Sequence, residues 1–354
     1  MFIENLPFEK SLTIPDKIAL IDFDTGRTFT YRELFEKTSS MADFLFRKQK
    51  INHGDCVCSF SSDLLFNSIL FFACTSLGAV FLYLPLKMDL ENYKVYPKIV
   101  FKDEDISFID NLPQKFDDFS EIEVFESDPL FLLFDEKLSL FRVFSYSALL
   151  SDSLASIFSK KVNFNSVALS SLNFGNIEGL TSNFLPILLS GGTVIFSKEK
   201  KDFSSLNLDF VSGHVSFLQD IGLKSSPVCE IFFKSRDELK IIEILDKKIK
   251  NLVPMFSFCG AGIYSFFRED FDFSGLDFFP LGKVGYNMKI RIVDKDNIVK
   301  DCEEGEVGDF VMRGKNIFSG FWNDPFMTSS YLQKGWTRFD LKGFCKNGKF
   351  FVKI

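Results

Sequence analysis

The sequence predicts an α/β fold: two helix-covered, mostly parallel sheets followed by a small antiparallel β subdomain. Three observations carry this prediction. Apolar strand-like runs alternate with amphipathic helical stretches from residue 19 to about 86, and the alternation resumes between residues 146 and 258. Beyond Phe271 the pattern changes to short runs of alternating polarity separated by turn residues. No internal repeat or low-complexity linker interrupts the chain. The expected divisions are therefore 1–145, 146–270 and 271–354.

The elements follow in order. Ala19–Phe23 is an apolar run, Asp24-Thr25-Gly26 a hairpin turn, and Thr28–Thr30 the returning strand. Thr30-Tyr31-Arg32-Glu33 is a capping box, in which hydroxyl and carboxylate satisfy the orphan amides at a helix start. Leu34, Met41, Phe44 and Leu45 form one face of that helix. Gly54-Asp55 leads into strand Cys56–Phe60. Leu64–Leu86 then runs 23 residues without a charge, long enough to span a bilayer. Asn67, Ser68, Thr75, Ser76, Gly78 and Pro85 divide it instead into a buried helix, a Gly78 stop and a strand over Ala79–Tyr83. Leu130–Phe134 is a strand. Ser147–Phe158 is read as a helix, Val167–Ser171 as a strand, Thr181–Leu189 as a helix and Thr193–Phe196 as a strand. Pro227–Phe233 and Asn251–Phe258 are strands flanking the amphipathic helix Asp237–Lys248. Lys289–Val293, Gly305–Met312 and Gly348–Lys353 belong to the small β subdomain.

Composition excludes several functions. A net charge of −7 and a pI near 5.2 argue against a nucleic-acid partner, because binding to a phosphate backbone requires clustered Lys and Arg. Phe is overused, with 47 residues against 2 Trp, which reads as core filling. The 7 cysteines are scattered among apolar residues, as expected for free buried thiols. Cys56 and Cys58 have no second Cys or His pair with them, and His53 and His214 stand far apart, so no metal site is expected. The N-terminus has no basic-then-apolar signal pattern, which favours the cytoplasm, and no transmembrane span is expected.

Several segments resemble adenylate-forming ligases, the family of acyl-CoA synthetases, aryl-CoA ligases and amino-acid adenylation domains. Pro15-Asp16-Lys17-Ile18-Ala19-Leu20 with Thr30-Tyr31-Arg32-Glu33-Leu34 looks like the family's opening. Leu77-Gly78-Ala79-Val80 and Leu185-Pro186 with Leu188–Val194 look like later steps. The most specific match joins Gly305-Glu306-Val307-Gly308, Arg313-Gly314, Phe318–Pro325 and Gly335-Trp336, in the family's order. The likeness spans nearly the whole chain, with a gap around 87–127. It implies a fold corresponding to the large N-terminal domain of an acyl-CoA synthetase. The implied chemistry joins a carboxylate to ATP, giving an acyl-adenylate and pyrophosphate, and then transfers the acyl group to a thiol.

The residues that this chemistry needs are altered. The phosphate loop should follow the strand Leu130–Phe134 as Gly/Ser/Thr-rich sequence. Asp135-Glu136-Lys137-Leu138-Ser139-Leu140 stands there, without glycine and opening on two carboxylates, which together would disfavour a triphosphate. Lys137 is read as part of a surface turn. The family's acyl-site histidine is replaced by Asn176, which is either structural or a pocket wall and with Gly179 is the expected substrate-binding pair. The adenine segment aligns with Phe256–Gly260. Phe256 either stacks a purine or packs in the core, Cys259 belongs to the same vestigial nucleotide site, and Gly260 replaces the Mg²⁺ carboxylate. At the ribose position an ungapped alignment places Leu341. Asp340 either substitutes after a one-residue slip or is simply exposed. The chain stops before the family's Gly-Arg hinge, so the catalytic C-terminal domain and its lysine are expected to be absent.

The expectation is therefore a degenerate ligase core without catalytic residues, with ATP and Mg²⁺ as cofactors only where ancestral activity survives. Such a core keeps a pocket for a small carboxylic or fatty acid, or acts through protein contact. The alternative is one half of a split ligase, completed by a separate C-terminal domain or serving a carrier protein. A decaying gene product is the third reading.

Overall fold

The computed structural model describes residues 3–85, 88–112, 122–219, 221–223, 226–233, 236–258, 261–265, 278–281, 288–295 and 297–353. It contains three sheets. The first has eight strands in the spatial order Ala261–Ser265, Leu252–Phe258, Val228–Phe233, Phe210–His214, Val167–Ser170, Thr193–Phe196, Ile18–Asp22 and Thr28–Thr30. Its six central strands are parallel, and both edge strands are antiparallel. The second is built from Ile99–Phe101, Cys56–Ser59, Val80–Tyr83, Pro129–Asp135, Leu140–Ser145 and Gly320–Phe321, parallel through the fourth strand. The third is antiparallel, running Phe278–Leu281, Lys349–Lys353, Trp336–Lys346, Gly308–Gly314, Met288–Asp294 and Asn297–Asp301.

Two segments cross the divisions placed at residues 145 and 270. The hairpin at 18–30 completes the first sheet beside Thr193–Phe196, and Gly320–Phe321 completes the second beside Leu140–Ser145. Both additions cap a strand edge that would otherwise present open amides and carbonyls.

Local chemistry explains the helices. Thr30 Oγ1 accepts the Glu33 amide, and Glu33 Oε2 accepts the Thr30 amide at 2.7 Å, so the capping box is formed as expected. The charge-free stretch resolves into the helix Leu64–Ser76, a left-handed Gly78 at φ +63° and the strand Val80–Tyr83. Asp63 caps that helix through the Phe66 amide. Among the described residues no helix is long and apolar enough to cross a membrane.

The core is aromatic. Phe71, Phe72, Phe81, Phe174, Phe184 and Phe196 are wholly buried, and their rings meet at 4.9–6.5 Å, mostly tilted or edge-on. That geometry adds ring electrostatics to area burial. The Phe excess is thus used between the helices and the first two sheets, as composition suggested. Cys56, Cys58, Cys74 and Cys229 are buried free thiols. Burial pushes Cys56 and Cys229 up to about 12, which keeps both unreactive.

Candidate functional site

Ligands of open α/β sheets bind beyond the carboxyl ends of the parallel strands. Here the two parallel sheets meet at such ends. The strand Val167–Ser170 runs into loop 171–176, and Val80–Tyr83 runs into Pro85. A side chain added at Gly175 would touch the Pro85 ring at 3.2 Å, and the Tyr83 and Phe174 rings lie 6.3 Å apart. The loop carrying Asn176 therefore sits between the sheets, with Asn176 half-buried.

Gly179 is required where it stands. A Cβ there would come within 1.8 Å of the Asn173 carbonyl oxygen. Its amide donates to the Asn176 carbonyl at 3.1 Å, and the Asn173 Oδ1 accepts the Gly175 amide at 2.9 Å. The two expected substrate residues are thus brought three residues apart, Asn176 in the loop at the sheet junction and Gly179 in the helical turn packed on Asn173. Gly179 opens a wide π-helical turn, Gly179–Phe184, before the α-helix Leu185–Leu189.

The turn between Pro129–Asp135 and Leu140–Ser145 lies at the same end of the second sheet. It is a tight hairpin: Asp135 pairs with Leu140 in register, leaving four residues to turn, with Ser139 in the left-handed region at φ +53°. Asp135 Oδ1 accepts the Leu138 amide at 3.1 Å. Asp135 Oδ2 accepts the Arg142 Nε at 2.8 Å and Nη2 at 2.5 Å. Both side chains are buried, at 4% and 6% exposure for Arg142 and Asp135.

This corrects one part of the sequence reading. Asp135 and Glu136 do not form an exposed anionic pair. Only Glu136 is exposed, while the Asp135 charge is buried against a guanidinium seven residues on. Residue spacing alone does not single out Arg142, because the register that opposes it to Leu133 is set only by the folded hairpin. Its Nη1 is buried without a hydrogen-bond partner, but the cation lies 4.5 Å from the Phe318 ring, 5.5 Å from Phe321 and 5.9 Å from Phe339. Ring faces take the place of the missing acceptor. Those three residues tie the hairpin to the segment before Pro325 and to the third sheet.

The remaining expected residues divide as follows. Phe256 lies near the end of the parallel strand Leu252–Phe258, in register with Phe233. Asp340 lies in the strand Trp336–Lys346, beside the buried Phe339. Cys259 and Gly260 fall outside the described residues. His53 is held by Asp128, 2.8 Å from Nε2. Among the described residues no group of three or more His, Cys, Asp and Glu side chains comes together as a metal site would require.

Residues 8–95 match the family described as AMP-binding enzyme. No curated protein matches the chain. Solved structures do. ATP-bound MatB from Rhodopseudomonas palustris superposes with a TM-score of 0.80 at 16% identity, over 99% of this chain and 78% of that one. The o-succinylbenzoate CoA synthetase MenE from Bacillus subtilis gives 0.79 at 17% identity, over 98% and 77%. The N-terminal domain of FACL13 from Mycobacterium tuberculosis gives 0.77 at 14% identity, over 100% of both chains. The fold is that of the N-terminal domain of an acyl-CoA synthetase, as the sequence resemblance implied.

Proposed function

We propose that this chain, which has the fold of an acyl-CoA synthetase N-terminal domain and matches AMP-binding enzymes over residues 8–95, no longer performs nucleotide chemistry and acts as a cytoplasmic acid-binding core. One observation carries the reading. Where adenylate-forming ligases place their phosphate loop, this chain has a glycine-free hairpin whose Asp135 carboxylate is already engaged with the Leu138 amide and with Arg142. A phosphate cradle needs several amides turned outward along a flexible glycine-rich backbone. Opening this hairpin would separate a buried ion pair and unpack Phe318 and Phe321 from Arg142. The residues present therefore do not fit a triphosphate.

The loop with Asn176 and Gly179 supports a retained pocket for a small carboxylic or fatty acid. An Asn amide can donate to a carboxylate without titrating. Phe256 and Asp340 are proposed as remnants of the nucleotide site. Isothermal titration with ATP–Mg²⁺ tests the main claim. No heat of binding at millimolar nucleotide is expected, and a micromolar dissociation constant would overturn it.

The second reading is a split ligase completed by a separate domain. The correspondence with the FACL13 N-terminal domain over the full length of both chains supports it, since a domain of that extent was crystallised by itself. Acid-dependent pyrophosphate exchange on adding a candidate partner domain would decide for this reading, against the first.

A further inference from the structure

A second buried ion pair lies in the first sheet, away from the hairpin. Lys160 ends the helix Tyr146–Lys160, yet its side chain turns inward and is only 7% exposed. Its ammonium donates to the Ser182 carbonyl at 2.7 Å, to Glu230 Oε2 at 2.8 Å and to Asn183 Oδ1 at 3.1 Å, so all three donors have partners. Glu230, on the parallel strand Val228–Phe233, also accepts the Ser182 hydroxyl at 2.6 Å. Asn183 Nδ2 then donates to Ser212 Oγ at 2.9 Å, and Ser212 meets Ser170 Oγ at 3.2 Å. Ser170 Oγ in turn accepts the Leu172 amide, at the start of the loop that carries Asn176. A continuous polar chain thus runs from Lys160 through the sheet to that loop.

The sequence explains why Lys160 reaches the Ser182 carbonyl. In a regular helix the Ser182 carbonyl would accept the amide four residues on, but that residue is Pro186, which has none. Lys160 Nζ and Ser156 Oγ take its place. Burial holds the Lys160 pKa below its usual value, with Glu230 alongside opposing the shift.

We infer that the Lys160–Glu230 pair is an internal latch. It holds the wide turn Gly179–Phe184 against the sheet and thereby fixes loop 171–176 at the junction of the two sheets. Buried pairs of this kind add little net stability compared with apolar replacements, so a role in fixing one local geometry accounts better for its presence. The inference does not depend on the acid-binding reading.

Amide hydrogen exchange followed by mass spectrometry, on the full 354-residue chain, tests it. The double variant Lys160→Met with Glu230→Leu removes both charges of the pair together. Peptides covering 171–184 are expected to exchange at least tenfold faster in it, with those covering 64–83 unchanged. Ser182→Ala, which removes one link without altering charge, is expected to give a smaller acceleration confined to 171–184. Unchanged protection of 171–184 in both variants would overturn the latch, because apolar packing would then hold the turn. A uniform acceleration along the whole chain would overturn it too, since the pair would then act on global stability alone.

Discussion

Arg142→Met is the most direct perturbation of the closed hairpin. The variant keeps the length and much of the apolar stem of the side chain but strands the Asp135 carboxylate at 6% exposure without its two guanidinium bonds. Leaving one member of a buried pair uncompensated costs about 3–5 kcal/mol. Loss of the cation from the Phe318, Phe321 and Phe339 faces adds ~0.5–2 kcal/mol. With the entropy of unfolding scaled to chain length, each kcal/mol lowers the melting temperature by roughly 1–1.5 °C in a chain of this size. A fall of about 4–10 °C is therefore expected, read by circular dichroism or dye-monitored melting. Adding Asp135→Leu removes the stranded charge, and the double variant should recover more than half of that loss. The reasoning is refuted by a single variant melting within about 1 °C of the parent, or by a double variant as damaged as the single one.

Three further outcomes are expected. Gly179→Ala places a methyl group 1.8 Å from the Asn173 carbonyl, so the loop must shift, at a cost of about 1–3 kcal/mol in chemical unfolding. Thr30→Ala removes the hydroxyl that receives the Glu33 amide and should cost ~1 kcal/mol, whereas Thr30→Ser, which keeps that acceptor, should be near neutral. Burial pushes the Asp24 carboxyl up, but the Ser197 hydroxyl, the Lys198 amide and Lys201 outweigh it and hold the pKa below its usual value. A carboxylate depressed by folding stabilises above its unfolded pKa, so this contribution should disappear as pH falls from about 5 through 4 and below, and an Asp24→Asn variant should show a flatter acid limb in pH-dependent melting.

The sequence was most readable where local chemistry and periodicity agree. The hairpin at 18–30, the capping box and the helix–glycine–strand unit at 64–83 each combine an apolar period with an explicit stop or cap, and all are found. The central strand Phe210–His214 escaped because Gly213 breaks its pattern. That glycine is needed for close packing, since a Cβ there would lie 2.6 Å from Ser171 Oγ and 2.9 Å from the Phe217 ring. The stretch read as one helix from Thr181 divides into a π turn and an α-helix because Pro186 removes an amide. At the candidate site, residue types at 135–140 correctly indicated a turn without glycine. The fate of the Asp135 charge depended on cross-strand register, which residue spacing does not reveal.

The insertion of residues 18–22 beside Thr193–Phe196 has a consequence for synthesis. Ile21 finds its parallel neighbour Ile195 only after about 170 further residues have left the ribosome, of order ten seconds or more at ordinary elongation rates. During that interval the early hairpin has one long flank unsatisfied and must wait, shielded or transiently associated, for a partner strand made much later. Assembly of the eight-stranded sheet is thus a late, long-range event, so nascent chains stalled before residue 193 should be recruited by holdase chaperones more strongly than those released past 196.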